Sequence, residues 1–324
     1  MKYIFTFLIL FLEAQGILWA QQMPTATVMP HYLWLQNPAC VGMNRKEGYD
    51  IRLSHRNQWL PMKDAPTHQF LAVDKGFEGE KIGMGFIAFN DKRHLLSQQG
   101  FQLAYAYRVP FGYENRLETP ENSYVNRGWL LSFGLGAGLL NQRLDLSEAV
   151  VKNPNDRLLM PDQPTSITGM DVSFGGDLMF KSKTPRVLDS IHLGIGMRHI
   201  PFYARFQDSS LSALSVKTHY TSYLTYIRSW HYTKMEYIAL YRFNLPNAFP
   251  ASQQCDLSAF FHYKKYGFVG SGWKTDFSKS SYWRAMVGIT YLPKAQLMYI
   301  YENALTSRNS LAYSSHEFAL SFQF

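Results

Sequence analysis

Beyond residue 20 the sequence lacks any uninterrupted apolar run long enough for a membrane-spanning helix, which needs about 20 such residues. It is also poor in charge: Asp, Glu, Lys and Arg make up 17% of the chain, whereas Phe, Trp and Tyr make up 16%. The first shortage excludes a helical membrane protein after residue 20. Many aromatic residues without a helix-length apolar run are typical of a transmembrane β-barrel, in which only every second residue faces lipid.

Cysteine is scarce as well. The two cysteines, Cys40 and Cys255, are too few for a disulfide framework, and the sequence leaves open whether they pair. No cysteine directly follows residue 20, so a lipid-modified N-terminus is not predicted.

The sequence also lacks the residue patterns of metal and catalytic sites. Its histidines are scattered, and none lies in an H-E-x-x-H or C-x-x-C frame. The acidic residues of one long polar segment lack the D-x-D-x-D-G order of a calcium loop; they are Asp145, Glu148, Asp156 and Asp162. We therefore predict no catalytic residue, no metal ion and no cofactor, and keep an outer-membrane phospholipase or protease as a third, less favoured class.

The formal net charge is +8, and this excess of basic residues favours contact with anionic lipid headgroups or with an acidic partner. Nucleic acid is not predicted as a partner, because the chain is exported and shows no basic helix or base-stacking motif.

The N-terminus has the pattern of a secretory signal peptide. Lys2 supplies the positive start, an apolar run follows from Ile4 to Leu12, and Ala20 ends an acceptable cleavage site. A membrane anchor is the alternative, but the apolar run is shorter than a bilayer requires. The predicted organisation is a signal peptide at 1–20, a periplasmic lead-in with plug-like character at 21–48, and an outer-membrane β-barrel at 49–324.

From residue 49 onward, apolar residues alternate with small or polar ones, which is the side-chain period of a β-strand. In the last segment, Phe318, Leu320, Phe322 and Phe324 share one face, and a closing strand that ends in Phe resembles the assembly signal of bacterial outer-membrane barrels. The alternation predicts fourteen strands, at 49–58, 67–76, 81–91, 98–109, 128–142, 167–183, 188–199, 216–230, 234–244, 253–264, 266–277, 281–292, 294–303 and 315–324.

The fold class that we predict is therefore all-β, a transmembrane antiparallel barrel of about fourteen strands. The number is even, and the strands reach the roughly 9–11 residues that a tilted transmembrane strand needs. A soluble β-sandwich explains the alternation equally well, but soluble strands are usually only about 5–6 residues long. Strand parity also suggests that His262 with Asp256, or His192 with Arg198, belongs to a hydrogen-bonded network in the lumen.

The links between the predicted strands should alternate between short periplasmic turns and longer outer loops. Five of the predicted periplasmic links fit as turns, at 77–80, 184–187, 231–233, 265 and 293, and the longest outer link runs from 143 to 166. The exception is 110–127, a polar stretch on the periplasmic side that is too long for a turn. We interpret it as a loop that either docks a periplasmic partner or marks a slip in the strand assignment.

Short motifs near the N-terminus occur in a distinctive order. They are Asn37-Pro38-Ala39-Cys40-Val41-Gly42, then Arg56-Asn57-Gln58-Trp59, then Pro66-Thr67, then Gly83-Met84-Gly85. This order resembles the PorP/SprF family of type IX secretion system outer-membrane proteins, with the densest similarity from Asn37 to Asn155. Cys40 stands where the family usually has an aromatic residue.

The resemblance implies a non-enzymatic barrel of Bacteroidetes-type bacteria that works with the type IX secretion and gliding machinery. It would anchor a secreted or surface protein, or assist its export, in contact with other secretion components and with outer-membrane lipid. The alternative is an outer-membrane transport barrel for a hydrophobic small molecule, because fourteen strands leave room for a ligand path.

Five residues are candidate partner-binding or plug residues. Asn37, Pro38 and Gly42 form a Pro-fixed turn that ends in a flexible Gly, and this turn can fold back to plug the periplasmic mouth or dock there; the alternative is a turn that only launches the first strand. Arg56 can clamp a partner carboxylate and Trp59 can lie at the membrane interface. The alternative for this pair is a salt bridge in the lumen and an interfacial Trp.

Overall fold

The computed structural model describes residues 32–43, 48–60, 62, 64–77, 81–118, 123–145, 165–183, 187–202, 218–230, 232–244, 253–263, 266–276, 281–292, 294–306 and 314–324. The predicted signal peptide, 1–20, and residues 21–31 and 44–47 of the predicted lead-in lie outside the described residues. No helix in the described ranges is long and apolar enough to cross a bilayer.

Fourteen antiparallel strands form one closed barrel. Their bounds are β1 Tyr49–Leu60, β2 Thr67–Phe77, β3 Ile82–Arg93, β4 Leu96–Glu118, β5 Ser123–Leu144, β6 Thr165–Lys183, β7 Val187–Phe202, β8 His219–Trp230, β9 Thr233–Asn244, β10 Gln253–Tyr263, β11 Gly267–Thr275, β12 Ser281–Leu292, β13 Ala295–Thr306 and β14 Ser314–Gln323. Every predicted strand is present, so the predicted barrel is confirmed and the soluble sandwich is excluded.

The barrel closes between its first and last strands. Ile51 pairs with Phe322 and Leu53 with Leu320 along this seam. At its end the backbones of Tyr49 and Phe324 exchange two hydrogen bonds, of 3.1 and 2.9 Å. Closure gives each strand two neighbours, which is how a β-structure can cross a bilayer without exposing unpaired backbone groups.

The two faces of the wall have opposite chemistry, as the alternation predicts. Outward side chains include Phe133, Leu193 and Ile195, which are 56%, 57% and 66% exposed. Inward side chains include Ser132 and Asp177, which are 0% and 1% exposed. Apolar residues therefore face the membrane, and polar residues fill an enclosed lumen.

We call the end at which β1 begins the lower rim, and the opposite end the upper rim. Links at the lower rim are short, as from Trp230 to Thr233, whereas the link from Leu144 to Thr165 at the upper rim is long. These lengths match the predicted alternation of short and long links, in which the lower rim is expected to be the periplasmic one.

The predicted loop at 110–127 is wrong, and the alternative, a slip in the strand assignment, is confirmed. Strands β4 and β5 continue into it as a long hairpin, with Arg116 opposite Val125 and a register shift between Phe111 and Glu114. Apolar and polar residues show little alternation in the sequence of this hairpin, so the pattern on which the strand prediction rests is weak there.

Candidate functional site

Residues 32–43 lie inside the barrel, and we call them the lumen segment. Leu35, Asn37, Ala39 and Val41 are all 0% exposed. The segment contacts inward residues on opposite sides of the ring, because Tyr32 donates to Met298 Sδ on β13 at 3.2 Å while Ala39 O accepts from Ser132 on β5 at 2.6 Å. A chain segment that touches both sides of a closed barrel must cross its lumen.

The turn at the centre of the lumen segment is built from Asn37 and Pro38. The Asn37 side chain accepts a hydrogen bond from Ala39 N at 3.0 Å and so caps a 3₁₀ turn at Pro38–Cys40. Pro at the first position of such a turn has the required φ and no N–H left unsatisfied. The Asn37 amide also donates to Gly176 O at 2.9 Å and to the Tyr223 hydroxyl at 3.0 Å. The turn is therefore attached to β6 and β8.

Three glycines make room for this turn. Gly134, Gly175 and Gly196 are direct cross-strand partners on β5, β6 and β7. A Cβ on Gly134 would lie 2.1 Å from Ala39 N, and one on Gly175 would lie 1.8 Å from Asn37 Oδ1. Side chains at these positions would occupy the volume that the turn fills, so the glycines form a recess in the inner wall that matches it.

The lumen segment leaves the turn along β2 and β4. Val41 O accepts a hydrogen bond from the Arg108 guanidinium, and Gly42 N donates to Asp74 Oδ2 at 3.0 Å. Gly42 has φ +66°, a left-handed conformation that glycine adopts without a steric cost, and a Cβ there would lie 2.3 Å from Lys75 O. Gly42 therefore lets the chain turn sharply against β2 on its way to β1.

A buried ion group holds the start of the segment. The Arg52 guanidinium donates to Asp74 Oδ1 at 2.9 Å and also bonds Asp50. Its Cζ lies 4.3 Å from the centre of the Tyr32 ring, a cation–π contact. Asp74 thus binds both Arg52 and Gly42, and so connects the two ends of the lumen segment.

Cys40 is part of a second buried group. Its sulfur lies 2.8 Å from the Tyr223 hydroxyl, which donates to Asp177 Oδ2 at 2.7 Å. Both cysteines are free, so Cys40 and Cys255 do not pair. Burial raises the pKa of the Cys40 thiol, so the reactive thiolate is rare while the segment stays in place.

Asn37→Ala should loosen the lumen segment without unfolding the barrel. The substitution removes the cap on Ala39 N and the two bonds to Gly176 O and Tyr223. At about 1 kcal/mol for each bond, we expect amide hydrogen exchange within 33–43 to accelerate on the order of 100-fold. Hydrogen-exchange mass spectrometry measures this, with β10–β12 as the internal reference. Equal protection of 33–43 in both proteins would contradict the role assigned to Asn37.

A network of buried charged side chains lies in the lumen toward the upper rim. Glu302 accepts from Arg56 at 2.8 Å and from Lys274 at 2.7 Å. Asp256 accepts from Arg284 at 2.6 Å and lies 3.7 Å from Arg242. All of these side chains are at most 7% exposed. The network links β1, β9, β10, β11, β12 and β13 across the lumen.

The structure thus separates the five predicted site residues. Asn37, Pro38 and Gly42 lie together in the lumen segment, whereas Arg56 belongs to the charged network, so the lumen salt bridge is the interaction that the structure contains. Trp59 lies near the upper end of β1, half-buried, at a register shift between Asn57 and Leu60.

The predicted histidine pairs do face the lumen, but the two members of each pair are not partners of each other. His262 lies 3.3 Å from Glu236 rather than beside Asp256, and His192 lies 3.6 Å from Asp177 rather than beside Arg198. Alternation shows which face a side chain occupies, but its neighbours depend on strand register, which sequence parity does not reveal. Tyr223, Asp177, Asp74 and Arg108 escaped sequence reasoning for the same reason.

Among the described residues, no group of three or more His, Cys, Asp or Glu side chains could hold a metal ion. Asp145 lies 3.2 Å from Arg143 in an exposed pair. Glu148, Asp156 and Asp162 lie outside the described residues.

A polar cavity of about 280 Å³ remains between the lumen segment and the wall. Trp34 and Cys40 line it from the segment, and His192, Glu236 and His262 line it from the barrel. The segment therefore does not fill the whole cross-section of the lumen.

Comparisons with known proteins give one family and several similar folds. Omp33 from Acinetobacter baumannii is 8% identical, with 86% of this chain and 99% of that chain covered and a TM-score of 0.44. The toluene transporter TbuX from Ralstonia pickettii is 11% identical, with 92% and 93% covered and a TM-score of 0.40. No curated protein matches the sequence. A family model described as "Type IX secretion system membrane protein PorP/SprF" matches residues 19–322, a range that includes both the lumen segment and the barrel.

Proposed function

Because the chain belongs to the PorP/SprF family of type IX secretion system membrane proteins, we propose that it acts as a closed, non-enzymatic barrel that anchors a cell-surface partner protein or assists its export. The family description is that of a membrane component of a secretion system, and it names no enzymatic activity.

The observation that carries this proposal is the occupied lumen. The lumen segment is bonded to β2, β4, β5, β6, β8 and β13, and the charged network lies toward the upper rim. A partner chain that passed through the barrel would have to displace the lumen segment and break its hydrogen bonds to these six strands. A partner protein therefore binds outside the lumen, and the lumen segment acts as a plug in which Asn37, Pro38 and Gly42 shape the turn.

Two places outside the lumen suit a partner. At the upper rim, Trp59 has φ +62°, and its backbone N–H donates to Ser315 Oγ at 3.3 Å. A left-handed conformation costs a non-glycine residue roughly 1–2 kcal/mol, and here it presents a large aromatic side chain at the end of β1. At the lower rim, the β4–β5 hairpin continues the two strands beyond their neighbours and is the second place proposed for contact with periplasmic secretion components.

The occupied lumen does not favour the small-molecule alternative. An apolar ligand would have to pass buried charged residues such as Arg284 and Glu302, each 1% exposed, and displace the lumen segment.

Proteoliposomes test closure directly. Vesicles that contain the wild-type barrel should swell in an isosmotic arabinose solution no faster than protein-free vesicles, because the lumen segment blocks the path. A porin in parallel vesicles is the positive control. Swelling by the wild-type barrel, or uptake of a labelled aromatic hydrocarbon, would favour the transport alternative.

Co-purification tests the partner. The tagged wild-type protein, Trp59→Ala and a variant with 112–125 replaced by a two-residue turn are extracted from outer membranes in mild detergent, and the co-purifying proteins are identified. We expect a surface protein to be lost from Trp59→Ala and periplasmic components to be lost from the hairpin variant. A wild-type protein that retains no secretion component, and whose deletion leaves surface display unchanged, would refute the proposed function.

A further inference from the structure

A groove of about 1130 Å³ runs along the outer wall of the barrel, from β13 and β14 across β1 to β6. Its lower side is apolar, with Leu53, Leu71, Ala88, Phe101 and Leu139 as cross-strand neighbours. Ala88 is the small member of this series and lies between Leu71 and Phe101, which helps to make the wall concave there. The groove lies on the face that meets lipid.

The upper side of the groove is a row of polar side chains, which we call the polar row. It has one residue on each of six strands, and each pairs directly with the next: His55, Gln69, Asn90, Gln99, Asn141 and Thr168. Gln69 lies 2.9 Å from His55 Nδ1, Asn90 donates to Gln69 at 3.4 Å, and Asn141 donates to Thr168 at 2.7 Å. An unbroken row of hydrogen-bonding side chains on six neighbouring strands is typical of a binding surface.

The polar row does not follow the membrane interface. Cross-strand rows run perpendicular to the strands, and a strand tilt of about 40° lowers such a row by roughly 15 Å over six strands spaced about 4.8 Å apart. On β1, His55 lies close above the lower-rim Tyr49, whereas on β5, Asn141 lies far above Trp129. From Tyr49 to His55 the wall offers about 15 Å of height, less than the roughly 25 Å apolar band of such barrels. The His55 end of the row therefore reaches into the apolar layer.

Cations lie immediately above the polar row. The next outward positions toward the upper rim include Lys92 on β3 and Arg143 on β5, both exposed. The opposite wall differs: near its upper rim the outward residues include Trp273 and Trp283, which are 39% and 42% exposed. From the lower to the upper rim, the β1–β6 wall therefore carries an apolar groove, then a row of neutral hydrogen-bonding side chains, and then cations.

We propose that this wall binds an anionic, multiply acylated lipid of the outer leaflet, with the chemistry of lipid A. Its acyl chains lie in the groove, the ester and amide groups at the roots of those chains bond the polar row, and a headgroup phosphate binds Lys92 and Arg143. The order of the three layers matches the order of groups in such a lipid, from the membrane interior outward. The His55 end of the row reaches into the apolar layer, and the ester and amide groups of such a lipid likewise lie deeper in the membrane than its phosphate.

A lipid explains the groove better than a second copy does, because two concave walls would face each other across an unfilled space. The lipid site is independent of the proposed anchoring role. It does rely on the lower rim facing the periplasm, since the cations must meet the outer leaflet.

Native mass spectrometry of the delipidated protein in detergent tests the proposal. The probes are hexa-acylated lipid A with two phosphates, the same lipid without phosphates, and dioleoyl phosphatidylethanolamine. The variants are Gln69→Leu with Asn90→Leu, and Lys92→Gln with Arg143→Gln. The matched control is Gln253→Leu, an outward glutamine near the upper end of β10 on the opposite wall. All substituted side chains are on the outer face, so heat-modifiable gel mobility should show a folded barrel in each case.

We expect one phosphorylated lipid A to bind the wild type and Gln253→Leu equally, and each double variant about tenfold more weakly, as the loss of two hydrogen bonds or ion pairs implies. The wild type should bind the lipid without phosphates more weakly than phosphorylated lipid A. The double variant Lys92→Gln with Arg143→Gln should bind the lipid without phosphates as well as the wild type does. Equal binding by all variants, or phosphatidylethanolamine binding as tightly as lipid A, would overturn the proposal. The proposal would also be overturned if a protein bound this wall in place of lipid A and its binding were lost in the Gln69→Leu with Asn90→Leu variant.

Discussion

Gly134→Val should expel the lumen segment and make Cys40 reactive. A Cβ at this position would lie 2.1 Å from Ala39 N and 2.2 Å from Pro38 C, and because both are backbone atoms no side-chain rotation relieves the overlap. The segment must then leave its recess and lose the buried hydrogen bonds of Asn37 and of Ala39 O. Two to three such bonds at about 1 kcal/mol each raise the open population on the order of 100-fold. The rate of Cys40 alkylation by a maleimide at pH 8 measures this, in a Cys255→Ser background.

Gly176→Val is the matched control. Gly176 follows the recess residue Gly175 on β6 but faces outward, and a Cβ on Gly176 would lie 3.9 Å from its nearest neighbour, Ser132 O. The substitution should therefore leave Cys40 as protected as in the parent protein. Planar-bilayer recordings give a second readout, since only Gly134→Val should open a conducting path. Slow alkylation in Gly134→Val, with a folded barrel and no conductance, would show that the recess does not hold the segment.

The strands could be predicted from the sequence because membrane and lumen impose opposite demands on alternate residues. Leu131, Phe133 and Leu135 face lipid while Ser132 and Gly134 face the lumen, and this contrast persists wherever the wall separates the two environments. The contrast is weak in the sequence of the β4–β5 hairpin. Strand existence was therefore predictable, and the extent of this hairpin was not.

The site was less predictable because it depends on register. The Asn37–Gly42 motif could be identified as a turn, but its place in the lumen depends on Gly134, Gly175 and Gly196 lying at one level on three strands. These residues are far apart in the chain, and the alternation leaves the level of each strand undetermined. The partners Tyr223 and Asp74 depend on the same unknown. The glycines at lumen-facing positions are the one feature of the sequence that could have indicated a need for room inside the barrel.

Register also explains the charged network. Glu302 and Arg284 are cross-strand partners on β13 and β12, and Arg56 reaches Glu302 from β1 across the neighbouring β14. Glu302 is 1% exposed and lies within 4 Å of Arg56, Lys274 and Arg284. Buried cations at such spacing repel each other unless an anion lies between them. The negative charge of Glu302 therefore offsets the repulsion among the three cations on this side of the lumen.

Glu302→Gln should destabilise the barrel by about 3–5 kcal/mol, the usual cost of removing one member of a buried ion pair and leaving its partner uncompensated. The substitution keeps the size and shape of the side chain, so the loss reports charge rather than packing. Urea unfolding in lipid vesicles, followed by tryptophan fluorescence, measures the free energy of unfolding. A parallel shift of the midpoint at constant slope would show that stability has changed and that the unfolded state has not.

Asp189→Asn is the control that separates burial from charge. Asp189 accepts two hydrogen bonds from Arg228, at 2.8 and 3.1 Å, in a geometry as good as that of Glu302, but these side chains are 30% and 44% exposed. Solvent screens such a pair, so its loss should cost only about 0–1 kcal/mol. If both substitutions cost the same, the charged network contributes no more than a surface ion pair. If only Glu302→Gln is severe, the cost comes from leaving the buried cations around Glu302 without their counter-charge.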